Sequence, residues 1–159
     1  MTLEESIGKL LTEKNLTIAT VESCTGGLLS SKLTDVSGSS NYVKLNLVTY
    51  SNEAKRKMLG VPKHILEVFG AVSEECAFDM AKGLYKLTKA DICVSTTGVA
   101  GPTGGTVDKP VGLMYSSIYT PSDSDVYRIL LDPSIPRIEM KERFTNKVLK
   151  NILEFIWRI

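Results

Sequence analysis

Two apolar periodicities alternate along this chain, and that order restricts its fold more than any single residue does. Leu3, Ile7, Leu10 and Leu11 share one face of a helix over residues 3–14. A short apolar run (Leu16, Ile18, Ala19, Val21) then predicts a strand at 17–21, followed by an "SCTGG" junction and a helix to Leu33. "DVSGSSN" is a loop by composition, and "YVKLNLVTY" alternates as a strand ending near Tyr50. "SNEAKRKMLG" reads as a short helix with Ser51 as N-cap and Gly60 as its stop. Ser73, with Glu74 and Glu75, opens a helix to Leu87, and "ADICVST" is a continuous apolar strand of the kind buried on both faces. "VGLMYSSIYT" and "DVYRILL" predict two sequential strands. A last helix over 137–157 buries Phe144, Val148, Ile152, Phe155 and Ile156. Helices and strands in that succession predict a single layered α/β domain over residues 1–159 with a mixed sheet.

The bulk chemistry narrows the function. Nineteen basic residues nearly cancel eighteen acidic ones with no long run of either sign, which argues against nucleic acid or a membrane surface as partner. No apolar run approaches the roughly 18 residues needed to span a bilayer. The amphipathic, charged start "MTLEESIGKLLTEKN" does not read as a secretory signal. Three widely spaced cysteines, Cys24, Cys76 and Cys93, predict a reduced, cytoplasmic setting without disulfides. With His64 the only histidine and no CxxC pair, no metal site is expected. Apolar Trp157 and Ile159 on the last helix would suit either a homodimer contact or a monomer's core.

Three polar segments fall at predicted strand ends, where open α/β sheets collect ligands: "ESCTGG", "TYSNEAK" and "TTGVAGPTGG". Ser23 is either a helix cap or a nucleophile; Thr25 competes for the cap role and leaves Ser23 freer to act. The N–H groups of a helix start can hold a developing oxyanion, while Gly26 and Gly27 permit close approach. A serine hydroxyl needs a base. His64 lies away from any predicted strand end, whereas Tyr50 and Lys55 could both point into one cleft, and burial would lower a lysine pKa as a base requires. Cys24 is an alternative nucleophile or simple packing. Glu22 either faces a cationic substrate or ends the strand. The glycine-rich stretch at 98–105 could wrap a phosphate, although it matches neither a P-loop nor a dinucleotide fingerprint.

The segments "ESCTGGLLSSKLTDVSGSS", "LVTYSNEAKRKMLGVP", "GAVSEE" and "TTGVAGPTGGTVDKPVG" resemble, in that order, the C-terminal domain of the CinA family, across about residues 5–155. That family includes stand-alone nicotinamide-nucleotide amidohydrolases. The resemblance implies a three-layer α/β/α sandwich that hydrolyses the carboxamide of nicotinamide mononucleotide to nicotinate mononucleotide and ammonia, without metal or cofactor. It implies Ser23 as nucleophile, activated by Tyr50 and Lys55. Glu22, Cys24, Thr25, Gly26, Gly27, Thr97, Gly98, Ala100, Gly101 and Pro102 would then surround the substrate, and Lys109 would lie near its phosphate. Where the family usually carries a glycine before "VTY" and Thr-Val after "PVG", this chain has Asn46-Leu47 and Leu113-Met114.

Overall fold

The computed structural model describes residues 1–159. Thr2 and Glu5 cap each other's backbone and start α1 (Leu3–Lys14), which Asn15 ends in the left-handed conformation. Next come β1 (Ile18–Glu22) and α2 (Leu28–Thr34). A single 3-10 turn (Ser39–Asn41) leads into β2 (Val43–Val48). Ser51 accepts from Ala54 N and caps α3 (Asn52–Leu59), and left-handed Gly60 closes it. A short α4 (Lys63–Val68) follows Pro62, and Ser73 caps α5 (Glu74–Thr88). The chain continues through β3 (Ile92–Gly98), β4 (Leu113–Tyr119), β5 (Ser124–Leu130) and α6 (Arg137–Arg158).

The five strands form one sheet in the order β2-β1-β3-β4-β5. β1 pairs in parallel with both β2 and β3, whereas β4 and β5 return as antiparallel neighbours. This is the mixed sheet expected from the late pair of sequential strands. Ile18 pairs with Ile92 and Glu22 with Thr96, so the carboxyl ends of β1 and β3 lie side by side, with Val48 of β2 opposite Glu22.

Two cores sandwich the sheet into three layers. Strand residues alternate between faces. Ile18, Ile92 and Val94 meet Ile7 and Leu11 of α1, Leu29 and Leu33 of α2, and Phe144, Val148, Ile152 and Phe155 of α6. Ala19, Val21 and Cys93 meet Leu59 of α3 and Cys76, Met80 and Leu84 of α5 on the other side. Each of the large side chains among these stabilises the fold by about 1.5–3 kcal/mol through burial. α5 approaches the end of α3 closely: a Cβ on Gly83 would lie 2.0 Å from the carbonyl oxygen of Leu59. That contact fixes where α3, and hence Lys55, sits over the sheet. No helix is long and apolar enough to cross a membrane. Trp157 and Ile159 are exposed, and all three cysteines are free and buried.

Candidate active site

Ser23 is the first residue beyond β1. Its N–H donates to Thr96 O at 3.1 Å and Thr96 Oγ1 at 3.3 Å, which carries the β1–β3 pairing one residue further. Its carbonyl accepts from Gly26 N, closing a turn from which Oγ faces a cavity of about 310 Å³.

Lys55 enters from the second turn of α3. Its Nζ lies 3.0 Å from Ser23 Oγ and donates at 3.1 Å to the carbonyl of Tyr50. The side chain is 1% exposed and forms no ion pair. Burial therefore pushes its pKa below the usual 10.5, against smaller opposing effects from the Cys76 and Cys24 thiols. A charged Lys55 donates to Ser23 Oγ. A neutral one spends an N–H on Tyr50 O and turns its lone pair toward the serine hydroxyl, the arrangement a general base needs.

The other expected residues divide. Tyr50 contributes its backbone, because the residue is 61% exposed and its phenol accepts from Arg137 Nη2 at 3.0 Å, with no hydrogen bond to Ser23 or Lys55. Cys24 lines the cavity, yet burial, with Glu22 adding to it, pushes its thiol up to about 12 against a weaker opposing bond from Thr96. That direction disfavours a thiolate nucleophile near neutral pH. Thr97, Gly98, Ala100 and Gly101 line the cavity on its β3 side, while Pro102 is exposed and outside it. Thr97 Oγ1 donates to Ala71 O at 2.8 Å, tying in the opposite wall.

Several other expectations need correction. Glu22 does not face the cavity: it is fully buried on the α2 side of the sheet. There it accepts from Leu29 N, Ser30 N, Ser30 Oγ and Thr25 Oγ1. It thus supplies the cap of α2, whose N-cap Gly27 has no side chain to offer, so neither Ser23 nor Thr25 caps the helix. Thr25 is likewise buried away from the cavity, between Glu22 and Thr96. Gly26 and Gly27, both at positive φ, open onto a separate cavity beside Ile138 and Lys141 of α6. Lys109 donates to Val72 O at 2.5 Å and sits over the Tyr115 ring, bracing the loop from behind. α2 starts five residues after Ser23 with its first amides spent on Glu22. Beyond Ser23, the N–H groups of Cys24 and Thr25 donate to no other residue, and of the two only Cys24 lines the cavity.

The sequence pattern does not single out Arg137. At the first turn of α6 it donates through Nη1 to Gly101 O at 2.7 Å and through Nη2 to Tyr50, so it is the cation of the cavity wall. Only its place just after Pro136, a favoured helix start, marked it out.

A three-layer α/β/α domain with a buried serine–lysine pair at the carboxyl edge of its parallel strands is the class that fold and site define. The chain belongs to the CinA family, whose C-terminal domain model matches residues 1–156. A CinA-like protein from Chlorobium limicola is 58% identical over 113 residues, which cover 71% of this chain and 26% of that protein. A relative in Clostridioides difficile named for competence-damage induction is 59% identical over 117 residues, 74% of this chain and 28% of its own. The chain spans about a third or less of the length of these relatives. The crystal structure of a competence/damage inducible protein from Agrobacterium tumefaciens superposes with a TM-score of 0.89 at 36% identity, covering 96% of this chain and 94% of that one. One from Enterobacter asburiae gives 0.91 at 30% identity, covering 97% and 96%.

Proposed function

We propose that this domain is an amidohydrolase that cleaves the carboxamide of nicotinamide mononucleotide. The observation that carries the reading is the buried, ion-pair-free amine of Lys55 lying 3.0 Å from Ser23 Oγ. The choice of substrate comes from the family resemblance. It is compatible with a cavity of about 310 Å³, at the small end of the roughly 300–1,000 Å³ range of ligand pockets.

In the first step neutral Lys55 takes the Ser23 proton as Oγ bonds to the amide carbon. The N–H of Cys24 is the donor the Ser23 turn offers to the resulting oxyanion, one such donor being worth about 2.7–4 kcal/mol in the transition state. Protonated Lys55 returns its proton to the nitrogen, the C–N bond breaks, and ammonia leaves an acyl ester on Ser23. Water activated by the same amine then releases the carboxylate and the serine. The Tyr50 carbonyl holds Lys55 in place throughout. The substrate phosphate has Arg137 and the unpaired N–H groups of Ala100, Gly101, Thr103 and Gly104 within one wall of the cavity.

The test is incubation of the protein with nicotinamide mononucleotide and identification of the products. Stoichiometric ammonia and nicotinate mononucleotide support the reading. Thermal stabilisation by the mononucleotide with no ammonia released would instead make the domain a binding module.

A further inference from the structure

Behind the Ser23 turn lies a closed chain of hydroxyls that the mechanism above does not use. Glu22, Thr25 and Thr96 are all fully buried. Thr25 Oγ1 donates to Glu22 Oε1 at 2.5 Å, and that spends its only proton. The 2.8 Å contact between Thr25 and Thr96 must therefore run from the Thr96 hydroxyl to Thr25. With its proton spent on Thr25, Thr96 Oγ1 can only accept from its other neighbours, the N–H of Ser23 at 3.3 Å and the Cys24 thiol. Glu22 has no freedom to turn, because its other oxygen accepts from both Ser30 N and Ser30 Oγ. Every hydrogen in the chain thus has one direction, dictated by an acceptor-only carboxylate at its end.

We propose that Glu22, Thr25 and Thr96 form a positioning relay that holds the backbone of residues 23–25 so that Ser23 Oγ meets Lys55 and the Cys24 amide stays beside the cavity. The proposal rests on Ser23 being the nucleophile. Thr25 is its most informative member, since its side chain touches neither Lys55 nor the cavity. Its loss moves the turn while leaving the base untouched. Misplacement by about 1 Å can cost about a hundredfold in rate.

The experiment uses a fluorophosphonate, which modifies an activated serine hydroxyl without needing the natural substrate. Labelling is followed by intact mass and located by peptide mapping, with Tm measured in parallel. Thr25→Val is expected to label Ser23 about tenfold to a hundredfold more slowly than wild type. The pH at which labelling rises should not change, because the surroundings of Lys55 are intact. Thr25→Ser, which restores the hydroxyl, is expected to recover the rate. Ser95→Ala supplies the control: it removes another buried hydroxyl, one bonded to Ala77 O on the α5 side, and is expected to lower Tm without slowing labelling. Should Thr25→Val not fold, Thr25→Ala makes the same comparison. Wild-type labelling in the Thr25 variant, or equal slowing in Ser95→Ala, overturns the relay. Failure of the wild-type protein to label at Ser23 overturns the nucleophile reading beneath it.

Discussion

Replacing Lys55 by methionine separates the base from everything else in the site. Methionine approximates the apolar stem of the buried side chain, with a thioether in place of one methylene, and lacks the amine. Apart from the Tyr50 carbonyl at 3.5 Å, Lys55 Nζ is the sole hydrogen-bonding partner of Ser23 Oγ, and exposed His64 is not part of the cavity. No neighbour can substitute, so the full value of general-base catalysis should be lost. That value is about 10²–10⁴ in rate, or about 2.7–5.4 kcal/mol at 1.36 kcal/mol per tenfold. The assay is ammonia release from nicotinamide mononucleotide across a pH series. Wild type should show a rate that climbs with pH toward a plateau at an apparent pKa below 10.5, and Lys55→Met should lose that limb. Stability supplies a second readout with a definite sign. The folded pKa is lowered, so between it and 10.5 the unfolded chain holds a proton the folded chain lacks. Wild-type stability should therefore rise with pH through that window, relative to Lys55→Met. Denaturant titrations at several pH values measure the difference. A Lys55→Met variant within tenfold of wild type would refute the reasoning.

Arg137→Ala should raise KM for the mononucleotide about tenfold or more with a smaller effect on kcat, since the guanidinium lines the wall and touches neither Ser23 nor Lys55; steady-state kinetics decide. Gly83→Ala should destabilise the fold by about 1–3 kcal/mol, because its Cβ would strike the Leu59 carbonyl and push α3 away, as urea melts would show. The folded protein should resist iodoacetamide at pH 8, because burial raises Cys24 to about 12 and Cys76 and Cys93 to about 11; modification at the rate of the unfolded chain would contradict this.

The layers were legible because periodicity reports burial directly. "ADICVST" is continuous in apolarity since β3 is covered on both faces, and the spacing in α6 places Phe144, Val148 and Ile152 inward. α4 was not legible: six residues after a proline give a periodicity too little length to show. Ser23 and Lys55 could be brought to one cleft because strand ends and the helix that follows them are local features. What failed was direction. A side chain at the end of a buried strand points to one of two faces, and Glu22 follows the period-2 alternation with Thr20 toward α2 instead of outward. Tyr50 entered the site by its carbonyl, which no side-chain pattern encodes. Arg137 reaches the cavity only through the docking of α6, a tertiary event.

The account turns on an uncharged amine beside the Ser23 hydroxyl. The most direct measurement is an NMR titration of the ¹³Cε signal of Lys55, assigned by its disappearance in Lys55→Met. The expected result is a midpoint displaced below 10.5, toward the pH limb of the reaction. A midpoint at or above 10.5 would contradict it, for Lys55 would then hold its proton at working pH and have no lone pair for Ser23.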